Sequence, residues 1–183
     1  SGSGSSSTTA DAERFRTDCV IGLPRECVGG QAGRMNPDTL RDHVLTGDDD
    51  LRDALELLLQ RANQRQLWLL FIDGRGRIGE PIMPMADYPT DPHEIVPSED
   101  LGDLPQAQLL AHRIGMLREF TGNAAVVLVW ERLGDGAVGG EDDDVRQWAR
   151  AMKRHAAAMG IPLRAQLLLH DRGVRQLHAD DWS

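Results

Sequence analysis

AAVVLVW, residues 124–130, begins the part of the chain that decides the fold. It is followed by the loop ERLGDGAVGGEDDD (131–144), the segment VRQWARAMKRHAAAMG (145–160) and the segment PLRAQLLLH (162–170). The first and last of these are apolar enough for buried strands, and the segment 145–160 repeats apolar residues at helical spacing. A strand, a helix and a second strand in this order predict an α/β layer fold.

The segments that precede this stretch continue the alternation of helices and strands. DDDLRDALELLLQRAN (48–63) and residues Pro105–Phe120 each repeat apolar residues on one helical face. The apolar run Leu67–Ile72 predicts a buried strand, and the Asp73-Gly74 turn predicts a partner strand in IGEPI (78–82). The sequence therefore predicts an α/β fold with a mixed β-sheet flanked by helices.

The remaining segments set the expected domain organisation. Residues 1–14 are small and polar and predict a disordered tail or linker, and residues 15–47 predict an irregular N-terminal extension with a helix at Pro37–Leu45. Residues 48–183 are then a single α/β domain. Within this domain, MPMADYPTDPHEIVPSED (83–100) is rich in Pro and Asp, which predicts a long loop.

Composition limits the classes of partner. The formal net charge of −9 argues against binding to nucleic acid or an anionic membrane, both of which need a basic surface. No apolar run reaches the length of a membrane span, so we expect a cytoplasmic protein. Cys19 and Cys27 fit no metal-binding spacing, and the sequence leaves open whether they form a disulfide.

Two runs of aspartates stand at the starts of predicted helices. Asp48–Asp50 and Asp142–Asp144 are placed to cap these helices and to favour the positive ends of the helix dipoles. The second run, together with Asp135 and Glu141, also has the oxygen ligands that Mg²⁺ or Ca²⁺ prefers, although its spacing matches no EF-hand. Capping explains both runs without a bound ion.

From Leu67 to Trp182 the chain resembles the RadC-like branch of the JAB (MPN) metalloprotease-like domain family. The resemblance lies in element order and spacing, and it is carried by LLFIDGRGRI (69–78), the helix PQAQLLAHRIGMLREF (105–120), AAVVLVW, the Gly160-Ile161 step and AQLLLHDRGVRQL (165–177). It implies a JAB-like sheet with cytidine-deaminase-like layering of helices.

The resemblance also implies where a metal site would lie. JAB enzymes bind zinc through two His and one Asp, and a Glu acts on the bound water. At the family spacing, Trp130 and Arg132 occupy the two His positions and Asp143 occupies the Asp position. Trp offers no metal ligand, and the Arg cation repels a metal ion. We therefore expect no metal or other cofactor, and we expect Trp130, Arg132 and Asp143 to be degenerate binding positions.

Three functional hypotheses follow from these observations. The first is a non-catalytic JAB-like domain that acts in protein interaction or assembly, through a protein partner or self-association. The second is a hydrolase or nucleotide-processing enzyme with an acidic site around Glu131, Asp143 and the 91–94 loop. The third is a regulatory domain that binds a small ligand with its glycine-rich loop. We favour the first hypothesis.

Overall fold

The computed structural model describes residues 37–134 and 143–178, all of which belong to the compact unit Arg34–Ser183. In chain order the described elements are α1 (Pro37–Leu40), α2 (Asp48–Leu59), β1 (Gln66–Ile72), β2 (Ile78–Ala86), β3 (Ile95–Val96), β4 (Leu104–Pro105), α3 (Gln106–Thr121), β5 (Ala125–Glu131), α4 (Asp143–Ala158), β6 (Leu163–His170) and β7 (Gly173–Gln176). This unit includes α1, which lies within the segment predicted as an irregular extension.

Five of the strands form one mixed sheet in the order β2-β1-β5-β6-β7. Strands β5 and β6 run parallel, and the other neighbouring pairs run antiparallel. The centre is the β1–β5 pair, whose register runs from Gln66 opposite Glu131 to Ile72 opposite Ala125. The predicted α/β fold with a mixed sheet is confirmed.

Helices cover both faces of this sheet. Because side chains alternate along a strand, each central strand contributes to two cores. Residues Leu67, Leu69, Phe71, Val126, Leu128 and Trp130 pack with buried residues of α3 and α4. Residues Leu70, Ile72, Val127, Val129 and Leu167 pack on the opposite face with Leu51 and Leu55 of α2. Burial on both faces explains why these strands read as continuous apolar runs.

Glycines end two of the helices. Gly122 follows α3 with a φ of 70°, and its N–H donates to the carbonyls of Arg118 and Glu119. Gly160 follows α4 with a φ of 66°. Glycine adopts this left-handed conformation without the Cβ strain of other residues, so both helices stop there and the chain turns back toward the sheet.

The prediction that aspartates cap the first long helix is wrong. Gly47 is the N-cap of α2, and no side chain makes a capping hydrogen bond there. Asp50 instead accepts a hydrogen bond from the N–H of Thr46 at 3.0 Å. Asp48 forms an ion pair with Arg164 at 2.6 Å, and this contact lowers the pKa of the Asp48 carboxyl. The helix also ends at Leu59 rather than Asn63, and α1 ends at Leu40 rather than Leu45.

The prediction of one long loop over residues 83–100 is also wrong. Strand β2 continues through Met83 to Ala86, with alternating exposure and with Met85 opposite Leu67 of β1. Its two prolines are tolerated because β2 lies at the edge of the sheet. Further along, β3 and β4 form a small hairpin in which Val96 pairs with Leu104.

None of the described helices combines the length and the apolar content that crossing a bilayer requires.

Candidate functional site

Strand β5 ends in Trp130 and Glu131, and Arg132 follows directly. Because neighbouring side chains of a strand point to opposite faces, Trp130 and Glu131 lie on different sides of the sheet. The JAB resemblance implies the positions Trp130 and Arg132, and these also have separate environments, because Trp130 is buried in the core and Arg132 contacts Asp144.

Trp130 is a core residue. Its side chain is fully buried, and its ring centroid lies 5.4 Å from that of Tyr88 and 5.9 Å from that of Trp148. The indole N–H donates to Oε1 of Gln166 at 3.2 Å, and Gln166 in turn donates to the carbonyl of Ala149 in α4. Trp130 thus joins β5 to α4 through packing and a satisfied polar contact, and it does not line an open site.

Glu131 is a buried carboxylate held by hydrogen bonds. Its Oε1 accepts the backbone N–H groups of Asn63 at 2.6 Å and Gln64 at 3.2 Å. Its Oε2 accepts the side-chain N–H groups of Gln66 and of Trp68, the latter at 2.6 Å. Four N–H donors compensate the loss of water around this group. Glu131 therefore fixes the segment that enters β1 to the end of β5.

Arg132 belongs to a cluster that we call the arginine cluster: Arg65, Arg132 and Asp144. Asp144 Oδ1 accepts a hydrogen bond from Arg132, and its Oδ2 lies 3.2 Å from Nη2 of Arg65. The guanidinium of Arg65 also lies 3.7 Å from the ring centroid of Tyr88, a cation–π contact. One carboxylate thus serves two cations, and the cluster links the entrance of β1, the end of β5 and the start of α4.

Asp143, the third implied position, lies outside this cluster. It is the first residue of α4, its side chain is exposed, and its Oδ1 lies 3.4 Å from Nη1 of Arg146. Arg132 therefore meets Asp144 and not Asp143. Asp135, Glu141 and Asp142, the other acidic residues considered for a divalent cation, fall outside the described residues.

The described side chains around the end of β5 do not favour a bound metal ion. Within residues 37–134 and 143–178, no three His, Cys, Asp or Glu side chains are grouped so that they could hold a metal ion. Both oxygens of Asp144 already face guanidinium groups, and two cations beside one carboxylate disfavour the approach of a third cation. The arrangement is suited to holding three segments together.

The hypothesis of an acidic enzyme site required Glu131, Asp143 and the 91–94 loop to meet. Glu131 is enclosed by N–H donors, and Asp143 contacts Arg146. Asp91 accepts the backbone N–H of His93 at 2.8 Å, a local turn contact. The hydrogen bonds of these carboxylates thus lead to different segments.

His155, on α4, has a pKa below the ordinary value of a histidine. Burial lowers the pKa of His155, and Arg154, His93 and His112 lower it further. His155 therefore stays neutral at a pH at which a solvent-exposed histidine is already partly protonated.

A cavity of about 350 Å³ lies between the end of α4, the start of β6 and the end of β7. Its described lining combines apolar residues such as Ile161 and Leu163 with the basic residues Lys153 and Arg164. Arg164 is already paired with Asp48. Its α4 lining comes from the C-terminal part of that helix, whereas the arginine cluster contacts the start of the helix.

The outward face of α3 is the most apolar exposed surface of a described helix. Phe120 is 89% exposed and Met116 is 57% exposed, and they lie one helical turn apart. Beside them, Arg113 donates to both carboxylate oxygens of Asp100 at 2.7 Å and contacts Met116 Sδ at 4.0 Å. We call Arg113, Met116, Glu119 and Phe120 the α3 surface.

The sequence analysis placed Glu131 in an acidic enzyme site, and it did not predict the hydrogen bonds that enclose Glu131 or the contacts of Arg65 and the α3 surface. Glu131 could have been recognised as a carboxylate at the end of a strand that is otherwise buried. The α3 surface is also visible in the sequence, since Met116 and Phe120 lie outside the apolar face that Leu110, Ile114 and Leu117 form at helical spacing. The partners of Arg65 had no local signal, because they are distant in the chain.

Comparisons with known proteins do not assign this chain to a family. No protein-family model matches the chain, and no curated protein matches it significantly. The JAB-like affiliation accordingly remains a prediction from element order and spacing.

Proposed function

We propose that this domain acts in protein interaction or assembly through the α3 surface, as a non-catalytic domain of JAB-like type. The observation that carries the proposal is the exposure of Phe120, 89%, and of Met116, 57%, on one face of a helix whose other face is already packed. Large apolar side chains that adjoin one another on a surface mark sites of association.

The pattern of exposure along α3 supports this proposal. Ala107, Ala111 and Ile114 fill the inner face, so Phe120 and Met116 are not needed to complete the core. A helix with apolar residues on both sides is stable in water when a second surface covers the outer side. Aromatic residues and methionine are also the types enriched where proteins meet.

The end of β5 supports the non-catalytic part of the proposal. At the spacing that the JAB resemblance implies, Arg132 stands where a metal-binding enzyme has His, and the Arg132 guanidinium donates to Asp144. Trp130 occupies the other such position and is fully buried. The side chains at these positions contribute to stability and leave no ligand directed at solvent.

The test is capture by the tagged full chain, with an untagged full chain and an extract of the source cells offered together. We expect Met116→Gln/Phe120→Gln to lose the proteins that the wild-type chain retains, because Gln keeps helix propensity and removes the apolar contact. Leu133→Gln is the matched control, since Leu133 is 63% exposed but follows β5. Equal capture by the wild type and the double variant would overturn the proposal.

A further inference from the structure

The charges around the α3 surface point to a particular partner. Arg113 and Glu119 stand three residues before and three residues after Met116, and both are exposed. Arg113 is paired with Asp100 at 2.7 Å, and Glu119 lies 3.8 Å from Arg118. The surface therefore carries equal numbers of positive and negative groups, although the whole chain has a net charge of −9.

This arrangement is self-complementary under two-fold symmetry. When two identical helices pack antiparallel about an axis through one residue, a residue n positions before it faces the residue n positions after it in the second copy. With the axis at Met116, Arg113 of each copy faces Glu119 of the other, and His112 faces Phe120. The two Met116 side chains meet at the axis.

We propose that the partner of the α3 surface is a second copy of this chain, bound through an antiparallel α3 pair centred on Met116. This inference rests on the proposed function, because it names the partner of the same surface. The contact buries Phe120 and Met116 of both copies, which supplies the apolar centre of the interface, and two Arg113–Glu119 pairs form its rim.

Charge selects this register and this partner. Two chains that each carry −9 repel one another over most of their surfaces, whereas the charges of the α3 surface cancel. An axis at Arg113 would oppose two guanidinium groups and is disfavoured. The two terminal nitrogens of Arg113 donate to Asp100. The Arg113 guanidinium has five N–H donors, so it can also donate to a second carboxylate.

The experiment combines the mass of the full chain in solution with a disulfide test of the register. Sedimentation equilibrium is expected to show a reversible monomer–dimer equilibrium. Glu119→Arg should raise the dimer dissociation constant about tenfold, because it opposes Arg113 of the second copy with a like charge. Asp49→Arg on α2 makes the same change in net charge on an exposed residue elsewhere and should leave the constant unchanged.

The register test uses Met116→Cys in a chain that also carries Cys19→Ser and Cys27→Ser. Mild oxidation should link Met116→Cys chains into covalent dimers, since a residue on the two-fold axis meets itself. Leu133→Cys in the same background should link much less. The thermal unfolding midpoint of each variant establishes that it is folded.

The outcomes separate this inference from the proposed function. A chain that stays at monomer mass over the whole concentration range, with no excess linking of Met116→Cys over Leu133→Cys, would overturn the second copy as partner. The proposed function would survive that result if Met116→Gln/Phe120→Gln still lost capture of a different protein. It would fail together with the inference if capture were unaffected.

Discussion

Helices α3 and α4 lie on the same face of the sheet, yet only α4 buries all of its large apolar side chains. Its buried stripe comprises Val145, Trp148, Ala149, Ala151, Met152 and Ala156, and the exposed side includes charged residues such as Lys153 and Arg154. α3 buries Ala107, Ala111 and Ile114 and also exposes Met116 and Phe120. The difference separates a helix whose partners are all within this domain from one that presents a second apolar face for association.

The largest expected effect comes from emptying the packed side of α4. Trp148→Ala removes a side chain that is 1% exposed, that contacts the rings of Tyr88 and Trp130, and whose N–H donates to the carbonyl of Pro89 at 2.7 Å. We expect the free energy of unfolding to fall by about 3–5 kcal/mol. Urea denaturation of the full chain measures it, and a loss below about 1 kcal/mol would contradict the account of α4.

The next largest effect on stability is expected from the buried polar contacts at the end of β5. Glu131→Gln replaces one acceptor oxygen by an NH₂ group among four N–H donors, which leaves buried donors without a partner. We expect a loss of about 1–3 kcal/mol in the free energy of unfolding.

The control for Glu131→Gln is Glu56→Gln. Glu56 is exposed and accepts one backbone N–H, that of Val174, at 3.2 Å, a role that a Gln oxygen can keep. Equal losses for the two variants in the same denaturation experiment would show that the enclosure of Glu131 is not what matters.

On α3 the expected effect on stability is small. Met116→Gln/Phe120→Gln changes exposed side chains, so the free energy of unfolding of the monomer should stay within about 0.5 kcal/mol of wild type. The same variant should lose association. Substitutions on α4 are thus expected to change stability, and substitutions on α3 are expected to change association. Denaturation at a protein concentration below the dimer range provides the measurement, and a loss above about 2 kcal/mol would mean that these residues belong to the core.

A smaller effect is expected from His155 on α4. Its pKa lies below the ordinary value of 6.5, mainly because of burial, so the unfolded chain binds a proton before the folded chain does. The stability contributed by the neutral residue is thus present above about pH 6.5 and decreases as the pH falls below that value.

The measurement is the thermal midpoint of wild type and His155→Gln between pH 7.5 and 5.5. The decrease should be smaller for the variant, and the difference between the two proteins should be modest because His155 is only partly buried. Identical pH profiles would remove His155 from the account.

Much of this fold follows from local sequence. The apolar runs that became β1, β5 and β6, the amphipathic pattern of α4 and the glycines after α3 and α4 all predict the observed elements. The continuation of β2 to Ala86 was not predicted, because Pro84 and the Pro- and Asp-rich segment that follows obscure a two-residue alternation on an edge strand.

The candidate site was less accessible to sequence reasoning. Alternation along β5 separates Trp130 from Glu131, and the helical phase of α4 decides that Asp144 rather than Asp143 meets Arg132. The spacing of residues along the sequence does not show to which face of a strand, or to which side of a helix, a side chain points. The contact between Arg65 and Asp144 joins residues 79 positions apart, which no local pattern anticipates.

The most direct test of the central claim is the solution mass of the full chain, 20.2 kDa as a monomer, measured by sedimentation equilibrium over a wide concentration range. The account predicts a reversible rise toward twice that mass, which Met116→Gln/Phe120→Gln abolishes and Leu133→Gln leaves intact. A mass that stays at 20.2 kDa throughout, or a dimer that the double variant still forms, would contradict it.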